Sequence, residues 1–226
     1  MKKAVINLKD WDLVLRELEA EKIKLMSYDN TIIGNLGGIR GTRILDYGAG
    51  PGILAGVLKK LGAEVKVYEV NDKILEAAAK RIGKENVFSN LKQLPLNYFD
   101  SIICNLVLCI VVEKEVKRIL QAICRLLAPN GNAFFGFCNP LIFEVKESHI
   151  DFRFPTGEPY EKNHSYKKIK KEGNYEIHEL HRPIGWYEHQ LIKSGFAITN
   201  ILFTPEYDYK GTHINDFVIF KCKKKI

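Results

Sequence analysis

The chain predicts an α/β protein built on a doubly wound, mostly parallel seven-stranded sheet, with helices on both faces and an antiparallel strand at the C-terminal end. Three observations carry this. Short apolar runs alternate with amphipathic stretches from residue 43 to residue 139, the rhythm that right-handed crossovers turn into a parallel sheet. The stretch "ILDYGAGPGIL" (44–54) places glycines at 48, 50 and 52 between a strand and a helix. Finally, "FAITNILF" and "DFVIFKCK" follow one another near the end without a helix between them, which suggests an antiparallel edge on the parallel sheet.

The elements follow in order. Residues 10–26 set apolar side chains at Trp11, Val14, Leu15, Leu18, Ile23 and Leu25, approximating a helical stripe with Asp10 as its N-cap. "RILDY" (43–47) is a buried strand. Pro51 lies near the first turn of the next helix and Gly62 stops it. "EVKVYEV" (64–70) is a second strand, and "NDKILEAAAKRIG" (71–83) is a helix capped by Asn71 or Asp72 and ended by Gly83. "NVFSN" (86–90) is a short strand and "FDSIICNLVL" (99–108) a strand running into a loop. A long amphipathic helix is expected over 113–131, closed by Pro129 and Gly131, followed by a strand at 132–139. Residues 140–182 lose the rhythm: they are mixed in charge and rich in aromatics, with "YEIHEL" as one strand after a turn at "KKEGNY". Order returns with a helix over 182–195. The chain thus reads as a single domain: an N-terminal helical segment (1–40), a core (41–139), a lid or insertion (140–182), and a closing helix and strands (183–226).

Composition excludes several classes. Of 226 residues, 46% are hydrophobic and 27% charged, which is ordinary for a globular protein and argues against disorder. No apolar run is long enough to span a bilayer and no secretory signal is visible. The five cysteines form no C-x-x-C pair and sit in apolar surroundings. That fits a reducing cytoplasm and argues against a disulfide framework or a zinc ribbon. The net charge of +7 concentrates in "KKIKK" (167–171) and the terminal lysines. It reads as a solvated loop and a frayed tail; the sharper alternative is a weak patch for RNA or anionic lipid.

The glycine turn has several possible ligands. A phosphate-cradling loop needs a lysine and a hydroxyl after its last glycine, but Ile53 and Leu54 follow Gly52. A dinucleotide turn needs its third glycine where Ile53 stands. A turn without a ligand is weakened by three neighbours. Asp46 lies in the strand, where a carboxylate is costly unless it serves a polar network. Glu69 ends the second strand, where its two oxygens can accept from both ribose hydroxyls. "NLVLCIV" follows the fourth strand at the sheet edge where open α/β sheets bind ligands.

"ILDYGAGPG", "VYEVNDKILEAA", "LPLNYFDSIICNLVL" and "LAPNGNAFF", in this order and spacing, resemble the class I S-adenosylmethionine-dependent methyltransferases, with their Rossmann-like fold. The resemblance covers residues 40–140 and resumes with "HRPIGWYEHQLIKSGF", similar to the late block of small-molecule members. It implies S-adenosyl-L-methionine as cofactor and S-adenosyl-L-homocysteine as product. It places Asp46, Tyr47, Gly48, Ala49, Gly50 and Gly52 around the methionine end, Glu69 and Val70 at the ribose, and Ile74, Asn90 and Leu91 at the adenine. Asn105 and Leu106 are placed at the methyl region. Asn90 stands where many relatives carry an aspartate. The cofactor has no phosphate, which explains a loop without lysine; the helix N-terminus after Pro51 suits its carboxylate.

The acceptor is expected to be a small molecule, planar or apolar, under a lid formed by 140–180 and closed on the other side by Tyr28. His181 is the first candidate to orient or deprotonate it; His149, Tyr160 and Arg182 are candidate acceptor contacts, and His164 lies nearby. "HELH" (178–181) is one residue short of H-E-x-x-H and no cysteines lie at ligand spacing, so no metal is expected. The N-P-P-Y tetrapeptide of many amide and base N-methyltransferases is replaced by "CNLVL", so no nucleic-acid partner is expected. A monomer or homodimer is expected. The alternatives are an RNA or protein methyltransferase, and a non-catalytic cofactor-binding module.

Overall fold

The computed structural model describes residues 28–171 and 175–225. The helix expected over 10–26 lies outside them. A short helix α1 (Asn30–Asn35) precedes strand β1 (Arg43–Tyr47), helix α2 (Ile53–Lys60), β2 (Glu64–Tyr68), α3 (Asp72–Ile82), β3 (Val87–Phe88) and β4 (Phe99–Asn105). Then come α4 (Glu113–Leu126), β5 (Leu127–Cys138), β6 (Asp151–Phe154), β7 (His164–Lys170), β8 (Tyr175–His181) and α5 (Ile184–Lys193). Strands β9 (Phe196–Phe203), β10 (Tyr207–Tyr209), β11 (Thr212–Ile214) and β12 (Phe217–Lys224) complete the chain.

The main sheet has seven strands in the order β3-β2-β1-β4-β5-β12-β9. Pairings from β3 to β5 are parallel, and β12 runs antiparallel between β5 and β9. Alternation along β1 sends Leu45 to one face and Ile44 to the other, into two separate hydrophobic clusters. Leu45 joins Val116, Leu120 and Ile123 of α4 and Leu191 of α5. Ile44 joins Leu54 and Leu58 of α2, Ala78 and Ile82 of α3 and Ile32 of α1. This is the doubly wound arrangement the sequence predicts. Asn71 caps α3, its side chain accepting from the Ile74 amide at 3.2 Å.

The expected helix over 113–131 instead stops at Leu126, and β5 begins at Leu127. Pro129 disfavours helix at the residue before it. The Asn97 and Tyr98 amides take the carbonyls of Arg125 and Leu126, drawing the chain toward β4. Pro129 is accommodated where the β4–β5 register shifts.

The larger correction concerns 140–182. Rather than one strand in an irregular segment, the region holds a three-stranded antiparallel sheet, β6-β7-β8. Asp151, Arg153, Tyr166, Lys168, Lys170 and Glu179 are buried, whereas Phe152 and Phe154 are exposed. An apolar-in, polar-out pattern is the usual mark of a half-buried strand; β6 carries its reverse, and β7 and β8 bury charged residues beside Tyr166 and Ile177. "KKIKK" is therefore no solvated loop: Lys168 is 0% exposed. Nor is the tail frayed through Lys224, which belongs to β12 and bonds Asn97.

Candidate functional site

The glycine turn leaves the end of β1 and is shaped by three left-handed residues, Gly48 (φ 73°), Gly50 (φ 56°) and Gly52 (φ 74°). Side chains are disfavoured in this conformation. A Cβ on Gly48 would lie 2.5 Å from Val107 Cγ2, so the loop after β4 approaches the turn closely. A Cβ on Gly52 would lie 3.1 Å from Ala78 Cβ, so this glycine serves the contact between α2 and α3. The Gly48 amide donates to the Tyr68 carbonyl at 2.7 Å, and the Ala49 amide to the same oxygen at 3.4 Å.

Glu69 follows β2 and faces this turn. One carboxylate oxygen accepts from the Gly50 amide at 3.2 Å; the other accepts from the amides of Val70 (2.7 Å) and Asn71 (3.0 Å). Burial pushes its pKa above the ordinary carboxylate value, and the three backbone donors offset part of that rise. Val70 beside it is 68% exposed, whereas Ile74 is 1% exposed. The apolar surface next to Glu69 is thus offered by Val70, and Ile74 is buried beneath. Asn90 is exposed and its side-chain oxygen accepts from the Lys92 amide at 3.0 Å, opening the short turn that contains Leu91. Asp46 and Tyr47 are buried at the end of β1, and Tyr47 packs on Tyr68 with ring centroids 4.8 Å apart. Asn105 ends β4, and Leu106 beside it adopts φ 55°, a strained conformation for a side chain with a branched γ-carbon. Its amide donates to the Gly136 carbonyl at 2.8 Å.

The residues named for the acceptor side fall in different places. His181 ends β8 opposite His164, and the two rings lie 4.8 Å apart. His181 Nε2 bonds the Tyr160 carbonyl at 2.7 Å, and Nδ1 is buried with no hydrogen-bond partner among the described residues. A carbonyl only accepts, so Nε2 carries the proton. Burial lowers the His181 pKa below its ordinary value, with His164 adding to the effect and the Tyr160 carbonyl opposing it. Tyr160, with Lys162, Pro183 and Trp186, lines a cleft of about 620 Å³ between the lid and the start of α5. Arg182 is buried, and its guanidinium donates to the carbonyls of Leu108 and Val111, each at 2.6 Å, while covering the Trp186 ring. It clamps the loop after β4 through two backbone carbonyls. His149 is exposed and stacks on Tyr207 at 4.5 Å, within the contact between the lid and the β10–β11 hairpin. Tyr28 is fully buried, and its hydroxyl donates to the Asn105 side-chain oxygen at 3.1 Å, so it meets the end of β4.

Sequence reasoning missed the buried ionic cluster on the inner face of the β6-β7-β8 sheet. The Lys168 ammonium lies 2.9 Å from Asp151, 2.8 Å from Glu179 and 3.3 Å from Cys138 Sγ. Tyr166 donates to the other oxygen of Glu179 at 2.7 Å. Arg153 bridges Asp151 and Asp216 at 3.4 Å each. Burial alone would raise the Asp151 and Glu179 carboxyls, but the adjacent cations hold both below their ordinary values. Cys109, Cys138 and Glu179 also bring ligand atoms within 4.8 Å of one another, although the sequence set no cysteines at ligand spacing. The Lys168 ammonium bonds two of these three groups and supplies a cation there itself. Gly136 was also missed. Its signal was a glycine within "AFFGFC", the mark of a close approach inside a strand.

Residues 45–135 match the family model described as a methyltransferase domain. The chain is 29% identical over 129 residues to a ubiquinone biosynthesis O-methyltransferase of Shewanella sp., covering 54% of each protein. It is 36% identical over 89 residues to a ribosomal protein L11 methyltransferase of Dictyoglomus thermophilum, covering 36% of this chain and 30% of that protein. The chain thus spans about half or less of the length of these curated relatives. Its fold superposes on a glycopeptide N-methyltransferase crystallised with S-adenosyl-L-methionine, with a TM-score of 0.62 at 16% identity, over 87% of this chain and 92% of the other. Among the described residues no helix is long and apolar enough to cross a membrane. The strand order, the left-handed glycine turn facing a carboxylate at the end of β2, and the match over residues 45–135 together make that segment a domain of the class I S-adenosylmethionine-dependent methyltransferase family.

Proposed function

We propose that the chain transfers a methyl group from S-adenosyl-L-methionine to a small-molecule acceptor. The residues fit the cofactor. Gly48, Gly50 and Gly52 keep side chains out of the turn where the methionine end would approach, and Glu69 offers carboxylate lone pairs to the ribose hydroxyls. Val70 offers an exposed apolar side chain beside the ribose, and Asn105 and Leu106 border the methyl region. Asp46 supports the turn from the end of β1. When bound, the cofactor supplies a methyl group activated on a sulfonium centre. The protein's own work is to orient the acceptor and exclude water.

The observation that carries the small-molecule reading is the likeness to a ubiquinone biosynthesis O-methyltransferase; the open cleft lined by Tyr160 and Trp186 is the candidate place for the acceptor. His181 stands behind Tyr160 as the proton acceptor. Its tautomer is held by the Tyr160 carbonyl, its lowered pKa keeps it neutral at pH 7, and Nδ1 carries a free lone pair. The match to a ribosomal protein methyltransferase supports a second reading, a protein acceptor.

A methyl-release assay with labelled cofactor over a panel of phenols, amines, ribosomal protein and RNA tests the proposal. Turnover confined to small molecules is expected. Turnover confined to protein or RNA would reverse the acceptor assignment, and cofactor binding without turnover on any acceptor would favour a non-catalytic module. With the true acceptor in hand, unchanged turnover in His181→Ala would remove His181 from the mechanism.

A further inference from the structure

We propose that Tyr28 is a positioning residue for the cofactor end of the site: its hydroxyl fixes the side-chain amide of Asn105, and Gly136 is glycine so that the hydroxyl fits. The inference rests on the reading that Asn105 borders the bound cofactor.

Tyr28 precedes α1 and is fully buried, its ring 4.7 Å from that of Phe217. Its hydroxyl lies 3.1 Å from Asn105 Oδ1. Burial, reinforced by Asp29, pushes the phenol well above its ordinary pKa, so the group stays protonated and donates. An asparagine amide has an accepting and a donating end. With Oδ1 engaged by Tyr28, the orientation of the amide is set, and the NH₂ end is left to donate to a ligand.

The surroundings hold this pair in place. Asn105 sits in register with Gly136 on β5. The next residue, Leu106, is left-handed and bonds the Gly136 carbonyl. Strained residues of this kind persist where the structure over-determines them, commonly at ligand sites. Gly136 interrupts the buried run Phe134, Phe135 and Phe137. A Cβ there would lie 1.6 Å from the Tyr28 hydroxyl oxygen, 2.6 Å from Tyr28 Cζ and 3.1 Å from Asn105 Oδ1. A larger side chain at 136 and the Tyr28–Asn105 bond are therefore mutually exclusive. Packing alone would be served by phenylalanine at 28; the buried hydroxyl and the missing side chain at 136 together point to the bond.

The test compares the unmodified protein, Tyr28→Phe, Asn105→Ala and the double variant. It reads the side-chain amide resonances of Asn105 in ligand-free protein and binding of S-adenosyl-L-homocysteine by calorimetry. Tyr28→Phe is expected to move the Asn105 amide resonances and to weaken binding roughly fivefold, the equivalent of one net hydrogen bond of about 1 kcal/mol. In the Asn105→Ala background the same change should alter affinity by less than about twofold, since Tyr28 acts through Asn105. Unmoved resonances, or an equal loss in both backgrounds, would overturn the proposal. Gly136→Ala displaces the hydroxyl without altering Tyr28 and should reproduce the resonance shift, so a poorly folding Tyr28→Phe still leaves a decision. Should the unmodified protein bind no S-adenosyl-L-homocysteine, the cofactor reading fails, while the ligand-free resonances still decide whether Tyr28 orients Asn105.

Discussion

The glycine turn and the β6-β7-β8 sheet, the proposed lid, are built from opposite materials. The turn is a backbone device: glycines at left-handed φ, amides donating to one carbonyl, and Glu69 accepting three backbone N–H groups. The lid is a side-chain device: its inner face is tied by Lys168 between Asp151 and Glu179, and by Arg153 between Asp151 and Asp216. Glu69 reaches a partner 19 residues away in sequence, whereas Arg153 reaches one 63 away. A backbone device tolerates little change in shape, and a buried ionic device tolerates little change in charge. Breaking the second gives the largest expected effect. Lys168→Met leaves two buried carboxylates without their shared cation and should cost about 3–5 kcal/mol, read by denaturant unfolding. A loss below about 1 kcal/mol would mean that the cluster contributes nothing net to stability.

The same contrast explains what was legible in the sequence. The central sheet was readable because each parallel strand is a compact apolar run, and because Asn71, Gly62 and Gly83 punctuate the helices locally. The turn was readable because its glycines and Glu69 carry their meaning at short range. In residues 140–182 only "YEIHEL", now β8, was readable as a strand; β6 and β7 were not, because period-two alternation identifies a strand only when the apolar side is the buried one, and here Lys168 is inside and Phe152 outside. Cys109, Cys138, Lys168 and Glu179 meet only through the fold, and no spacing announces them. Tyr28 was assigned to the acceptor from its position before the core, but its contact with Asn105 is tertiary. Arg182 was read as a ligand-binding cation, yet its partners are carbonyls of a loop more than 70 positions earlier.

Changing shape in the turn should come next. Gly48→Ala places a side chain on a left-handed residue, at about 1–2 kcal/mol, and against Val107. Overpacking of this kind adds about 1–3 kcal/mol. Thermal unfolding and cofactor calorimetry should both register it, and Val107→Ala in the same chain should recover part of the loss by removing Cγ2. If the second substitution recovers nothing, the contact between the turn and the loop after β4 is not what constrains Gly48. A smaller loss is expected from Glu69→Ala, which leaves the glycines intact and removes the proposed acceptor of the ribose hydroxyls. Cofactor binding should weaken by about 1–3 kcal/mol, and unchanged affinity would count against the ribose assignment.

The finest discrimination between the two regions is a difference of sign in their response to acid. Asp151 and Glu179 have folded pKa values below their ordinary ones. The unfolded chain therefore takes up protons first, and the stability they confer is complete above their unfolded values of about 4. It is lost as pH falls from there through the folded values. Glu69 has a folded pKa raised by burial, so the folded chain takes up its proton first. As pH falls through that raised value, the cost of burying its charge is relieved and stability gains slightly. A protonated Glu69, however, has lost the charge that makes it a strong acceptor, so cofactor affinity should fall over the same interval. Calorimetry with S-adenosyl-L-homocysteine and denaturant unfolding, run in parallel from pH 7 downward, should show affinity declining before stability does. The Glu69→Gln variant should lose that early decline while keeping the acid unfolding of the lid. If affinity and stability instead fall together in both proteins, the two regions are one electrostatic unit and the division between a backbone cradle and an ionic lid does not hold.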